Sequence, residues 1–204
     1  MIVLGITGSS GAGKTTFCKI LKDKYSIPVI NADEVAKELS KLGSIYLAKI
    51  KEEFGSSVFS TDGNLNRPKL ANIIYNDKDE LEKLNNLTYK YVVDEIKTRV
   101  KILEDKGEEM IAIDAPLLFE SEMDYLCDYK ISLIADKDLK VRRICKRDNI
   151  EEDVANQRLN IQQTDEYYID RSDFVIRNNE NENLEEKVED LLNKIKERGM
   201  TSES

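Results

Sequence analysis

The sequence predicts an α/β fold around a five-stranded parallel sheet, and three observations carry that prediction. Five short apolar runs (residues 2–7, 28–31, 110–115, 130–135 and 173–177) have the length and continuity of strands buried on both faces. Polar segments with helical spacing separate them, the alternation expected of a parallel sheet. Hydrophobic residues make up 40% of the 204-residue chain, enough to bury a sizeable core without disulfides or metals.

Taken in order, the first strand (2–7) runs through a glycine-rich turn into a helix over 14–24, and the second strand follows at 28–31. The stretch 32–108 offers helical patterns only, broken at Gly43, Gly55 and the turn Asp62-Gly63-Asn64. Its longest pattern, 81–103, repeats apolar residues at Leu84, Leu87, Tyr91, Val92, Ile96, Val100 and Leu103. A connection between strands needs far fewer residues, so this stretch reads as a helical insertion. Beyond the strands at 110–115 and 130–135, two helices over 139–148 and 151–163 form a pair joined around Asn149. A strand at 173–177 and a helix over 184–198 close the chain, and the polar end 199–204 is expected to fray. The domains expected are a core (1–31, 109–136, 165–204), the insertion (32–108) and a lid (137–164).

Charge and composition narrow the function. With 31 basic and 40 acidic residues the chain carries −9, a field that repels a phosphate backbone or an anionic membrane. Nucleic acid and membrane are therefore not expected partners, and small molecules are. Cys18, Cys127 and Cys145 are odd in number and far apart, and the chain has no histidine. That argues against zinc sites and disulfide scaffolds and fits reduced thiols. Any general base must be a carboxylate, lysine, tyrosine or cysteine. The start, MIVLGITGSSG, lacks a basic leader region, and no run reaches the ~18 apolar residues of a membrane span. A cytoplasmic location is expected. The insertion offers no exposed heptad seam, which favours a monomer.

One motif decides the class. Gly8-Ser9-Ser10-Gly11-Ala12-Gly13-Lys14-Thr15 fits G-x-x-x-x-G-K-S/T, the phosphate-binding P-loop. Glycines let backbone N–H groups turn toward phosphate oxygens, and a helix opening near Gly13 adds its positive dipole end. Lys14 is expected to reach the β- and γ-phosphates of ATP, and the Thr15 hydroxyl to hold Mg²⁺. Four of the nine glycines fall between Gly5 and Gly13, and a chance match in a chain this long has odds of roughly one in a hundred. A glycine-rich turn without a ligand is the competing reading; the strand before it and the helix after it weigh against that. No glycine has an aspartate three residues before it and N-K-x-D is absent, which removes the GTPases.

In open α/β sheets ligands gather at the carboxyl ends of strands. Asp33 lies just beyond the second strand and Asp114 near the end of the third, so three strand ends can converge on one phosphate. Asp114 after Met110–Ile113 reads as a Walker B-like carboxylate acting on Mg²⁺ directly or through water. Asp33 can accept the proton of a substrate hydroxyl. Each could instead be a helix cap or loop aspartate; the shared edge favours the chemical reading. Arg142, Arg143, Lys146 and Arg147 concentrate positive charge on one helix, with Arg158 on the next. A solvated face is the usual fate of such a run, but in an acidic chain a lid that clamps a triphosphate is the stronger reading.

From residue 2 to about 179 these residues resemble the dephospho-CoA kinase family. The strand and P-loop match, and Ile27-Pro28-Val29-Ile30-Asn31-Ala32-Asp33 resembles a segment that in the family ends Asp-Ala-Asp. Phe54-Gly55 and Asp62-Gly63-Asn64-Leu65-Asn66-Arg67 resemble F-G and D-G-x-L-N-R, and Leu84-Asn85 fits the insertion. Asp114-Ala115-Pro116-Leu117-Leu118-Phe119-Glu120 matches D-x-P-L-L-x-E; 143–148 with 158–162 resembles the lid; Val175-Ile176-Arg177-Asn178-Asn179 resembles the closing strand and its nucleotide-side loop. The chain departs from the family at Asn31, at Thr88-Tyr89 in place of His-Pro, and at Glu180 in place of glycine.

The resemblance implies a three-layer P-loop NTPase fold with helical substrate domain and lid. It also implies ATP-dependent phosphorylation of the ribose 3′-hydroxyl of dephospho-CoA. Carried over, Asp33 is the base, and Arg143 and Arg147 stabilise the transferring charge. Gly8, Gly11, Ala12, Gly13, Lys14, Thr15, Thr16, Arg143 and Asn178 hold ATP, with Asn178 near adenine. Asp33, Asn85, Asp114, Leu117 and Leu118 meet the acceptor. A nucleoside or nucleoside-monophosphate kinase of the same fold, and an ATP-binding regulator without turnover, are the rival readings.

Overall fold

A computed structural model of the chain describes residues 1–41 and 43–201. The five strands form one parallel sheet in the order β2-β3-β1-β4-β5. They are β1 (Ile2–Thr7), β2 (Val29–Asn31), β3 (Met110–Asp114), β4 (Tyr129–Ile134) and β5 (Phe174–Arg177). Each lies within two residues of its expected bounds. In register Ile6 stands opposite Asp114 on one side and Ile131 on the other. The chain leaves β1 at the point where the strand order turns, which is where ligands of such sheets collect.

Two compact units divide the chain, one of residues Met1–Val29 and Gly107–Ser204, the other of Ile30–Lys106. The first unit holds the phosphate loop. Its α1 (Lys14–Tyr25) and α9 (Leu184–Thr201) pack on one sheet face, where Phe17, Leu21, Val188, Leu191 and Ile195 meet Leu4, Ile6, Ala112, Ile131 and Leu133. Those sheet residues share a face because strand side chains alternate with period 2. On the opposite face a methyl at Gly5 would collide with Cys127 and Leu118. Glycine there lets the segment after β3 lie directly on β1.

The same unit carries α6 (Lys137–Asp148), α7 (Glu152–Asn160) and α8 (Asp165–Ile169). Asn149, left-handed at φ 53°, turns the chain between α6 and α7, and Val141, Ile144 and Ala155 close their seam. The helix expected over 151–163 forms but stops three residues early, at Asn160, and a further short helix, not among those expected, starts after Thr164, whose hydroxyl accepts the Tyr167 N–H. The end expected to fray is helical through Thr201; residues 202–204 lie outside those described.

The second unit begins with Ile30 and Asn31 of β2 and is otherwise mainly helical among its described residues, with one antiparallel bridge. Its helices are α2 (Ala32–Leu39), α3 (Ile45–Phe54), α4 (Arg67–Asn76) and α5 (Lys78–Asp105). Tyr46, Leu47, Ile50, Phe54, Val58 and Leu70 form their own core, against which Leu84, Leu87 and Tyr91 pack. The Asp62-Gly63-Asn64 turn forms between Phe59 and Leu65, the two bridged residues. Asp62 accepts from the Ser60 hydroxyl at 2.5 Å and the Asn64 N–H at 3.1 Å, and these bonds pull its pKa down to about 2. Asn66 then caps α4 by accepting the Lys69 N–H. The D-G-x-L-N-R element is thus a turn followed by a helix cap. Among the described residues no helix is long and apolar enough to cross a membrane.

Candidate active site

Gly8, Gly11 and Gly13 all take positive φ (131°, 79° and 105°) as the chain passes from β1 to α1. All three also admit close neighbours: a methyl at Gly8 would strike the Leu133 carbonyl, one at Gly11 the Lys140 carbonyl, and one at Gly13 the Asn178 carboxamide. Glycine is required there on both counts. The winding turns the loop around the start of α1, where the helix leaves its first N–H groups free of intrahelical partners. Thr15 and Thr16 stand exposed in that first turn. The Lys14 ammonium folds back over the loop, donating to the Gly8 carbonyl at 2.5 Å and to the Ser9 carbonyl at 3.1 Å.

The basic helix α6 reaches the loop. Arg143 Nη1 donates to the Gly11 carbonyl at 3.1 Å, and Arg147 Nη2 to Ser10 Oγ at 3.2 Å. Arg147 and Arg158 both bind Asp148, at 2.7 Å each, and the Arg147 hydrogen bond leads the causes that hold the Asp148 carboxyl below its ordinary range. Arg142 instead pairs with Glu180 at 2.9 Å on the surface, so the residue in the family's glycine position has a partner on α6.

Asn178 follows β5, with its N–H on the Ile134 carbonyl and its side chain donating to the Ala12 carbonyl at 2.8 Å. It is 8% exposed and stands behind the loop. Asp114 is buried at the end of β3, beside the strand that feeds the loop. Its charge and that of Lys14 both reach the Cys18 thiol, one turn into α1: burial chiefly pushes that thiol's pKa up, Asp114 adds to the rise and Lys14 opposes it. Of the leucine pair, Leu117 is 47% exposed and Leu118 fully buried, so only Leu117 offers side-chain surface.

In the other unit, Asp33 is the second residue of α2 and is exposed. Asn31, where the family has aspartate, caps that helix by accepting the Glu34 N–H at 2.9 Å. Asn85 is half-buried on α5. Thr88 bonds Tyr46 Oη at 2.9 Å inside the unit's core.

Two further side chains contact the loop. Gln162 Oε1 accepts the Ser10 N–H at 2.8 Å, from the turn between α7 and α8. Lys140 Nζ lies 3.2 Å from Ser9 Oγ and 2.8 Å from Asp165 Oδ1. In the sequence Lys140 reads as one more cation in a basic helix, and Gln162 only as the last residue of the 158–162 segment that resembles the lid.

Comparison with known proteins identifies the family. The family model for dephospho-CoA kinase (CoaE) matches residues 2–184. The dephospho-CoA kinase of Fusobacterium nucleatum is 36% identical over 195 residues, covering 96% of this chain and 95% of its own. That of Saccharomyces cerevisiae is 32% identical over 200 residues, covering 96% and 83%. The solved structure of dephospho-CoA kinase from Campylobacter jejuni superposes with a TM-score of 0.68 at 25% identity, covering 97% of this chain and 98% of that one. With the family model matching residues 2–184 and a relative 36% identical over 96% of this chain, the chain belongs to the dephospho-CoA kinase family.

Proposed function

We propose that the chain transfers the γ-phosphoryl group of ATP to the ribose 3′-hydroxyl of dephospho-CoA, releasing ADP and coenzyme A, with Asp33 as the proton acceptor. The family match over residues 2–184 is the observation that carries the reaction. The bond between the γ-phosphorus and the β,γ-bridging oxygen breaks, the bond from the 3′-oxygen to that phosphorus forms, and the hydroxyl proton passes to the Asp33 carboxylate. Such transfer is mostly positioning and electrostatics.

The residues divide that work. Gly8, Gly11, Ala12, Gly13 and Thr16 take the phosphates into the loop and the first turn of α1. Lys14 leaves the Gly8 and Ser9 carbonyls for the β- and γ-phosphate oxygens. Arg143 and Arg147, already on the loop through Gly11 and Ser10, meet the charge that spreads over the transferring group. Asn178 borders the nucleotide through the loop it supports. Asp114, Asn85 and the exposed Leu117 contact the acceptor, and Leu118, fully buried, supports its neighbour Leu117 from the core.

Mg²⁺ fits the donors present: it prefers hard oxygens and is commonly bound by one or two protein groups plus substrate phosphates. The Thr15 hydroxyl and the Asp114 carboxylate are such a pair. When bound it neutralises charge on the β- and γ-oxygens. The acidic balance of −9 supports small-molecule substrates rather than nucleic acid, and the buried, unpaired Cys18 and Cys127 fit a reducing cytoplasm. We infer a monomer, since the insertion carries no exposed heptad seam.

Asp33→Asn tests the assignment of the base. It should lower turnover by about 10²-fold or more while ATP binds as tightly as before, measured by ADP release and by nucleotide titration. Near-normal turnover in the variant contradicts the role given to Asp33.

A further inference from the structure

Among the side chains that touch the phosphate loop, Lys140 is the buried cation to which the mechanism gives no task. Its side chain is 10% exposed, and it shares the inner face of α6 with Val141 and Ile144. A buried ammonium is costly unless it is paired and hydrogen-bonded. Here it meets two groups from two other elements: Ser9 Oγ of the loop and Asp165 Oδ1 in the first turn of α8. The backbone closes on the loop at the same place, since a methyl at Gly11 would meet the Lys140 carbonyl and Cα. Lys140 is thus where α6 holds the loop with main chain and side chain together.

We propose that Lys140 is a positioning residue for phosphoryl transfer, tethering Ser9 so that the loop keeps its winding when the Lys14 ammonium moves from carbonyl to phosphate. Ser9 links the two lysines: its hydroxyl faces Lys140, and its carbonyl accepts from Lys14 at 3.1 Å. As Lys14 turns to a nucleotide, Ser9 loses that bond and keeps the other. Asp165 balances the Lys140 charge, so removing Lys140 takes away the tether and also leaves a carboxylate facing a loop built for a polyanion. The inference rests on the reading that this loop takes ATP.

Five variants separate the tether from the charge and from mere stability: Lys140→Met, Lys140→Arg, Ser9→Ala, Ser9→Ala with Lys140→Met, and Lys140→Met with Asp165→Asn. ATP Kd, KM for each substrate, kcat and Tm are read for all, beside the wild-type protein. Lys140→Met should raise the ATP Kd and KM about tenfold, the scale of a lost charge-assisted hydrogen bond, with the dephospho-CoA KM moving less than about twofold. Lys140→Arg should restore most of the loss. Ser9→Ala should weaken ATP in the same direction and add little to Lys140→Met. Asp165→Asn on the Lys140→Met background should recover only the repulsive part.

Wild-type ATP affinity and kcat in Lys140→Met overturn the inference. So does a parallel loss for both substrates that follows Tm and is not rescued by arginine. If Lys140→Met does not fold, Ser9→Ala decides: unchanged ATP affinity there overturns the tether, and weaker ATP binding at an unchanged Tm upholds it. Failure of the wild-type protein to bind ATP would instead overturn the ATP reading itself.

Discussion

Asn178 donates its side-chain N–H to the Ala12 carbonyl across 166 residues of sequence, and a methyl at Gly13 would stand against the same carboxamide. Its removal leaves a buried carbonyl without that donor and opens space behind the loop. Asn178→Ala should therefore cost about 1–3 kcal/mol in urea denaturation. Part of that loss should be recovered at saturating ATP, because ligand binding stabilises the folded state by mass action. A variant as stable as the parent would mean that the loop needs no support there. The family resemblance puts Asn178 on the nucleotide side of the fold, but its partner is not legible, because hydrophobic periodicity and motif spacing hold no information on contacts this distant. The contacts that Lys140 and Gln162 make with the loop are hidden for the same reason, whereas Lys14, Arg143 and Arg147 are legible as candidates because their chemistry comes with a fixed spacing.

At the scale of elements, the strands and the long helix of the insertion follow from apolar pattern alone, and the turn at Asn149 follows from a residue that tolerates left-handed backbone. The break between α7 and α8 does not. Residues 151–163 keep a helix-compatible pattern, and the decisive signal is Thr164, which caps a helix of only five residues. Asn31 shows how a departure from a family pattern can still satisfy local structure. It caps α2, the helix whose second residue is Asp33, so the amide serves the backbone where the family has a carboxylate. Asn31→Ala should lose about 1 kcal/mol of stability, and Asn31→Asp almost none, since both Asn and Asp accept the Glu34 N–H. Equal losses in the two variants, measured by denaturant midpoint, would show that the cap is not what Asn31 contributes.

At the scale of the whole molecule, sequence spacing leads to an expected helical insertion over 32–108, and the chain divides into two compact units, Met1–Val29 with Gly107–Ser204 and Ile30–Lys106. Strand order is different: that β1 lies between β3 and β4 is a property of packing, reached from sequence only through the preference of parallel sheets for right-handed crossovers and a central phosphate loop. The electrostatic plan also belongs to this scale. A chain of net −9 draws Lys14, Arg143, Arg147 and the buried Lys140 around one loop, so its positive field is local and suits a small polyanion. The most direct measurement is ADP release from ATP and Mg²⁺ with dephospho-CoA, adenosine, AMP, cytidine or no acceptor, followed by location of the new phosphate on the product. Turnover confined to dephospho-CoA, with the phosphate on the ribose 3′-oxygen, is the predicted result; turnover with a nucleoside instead, or none with any acceptor despite ATP binding, would contradict it.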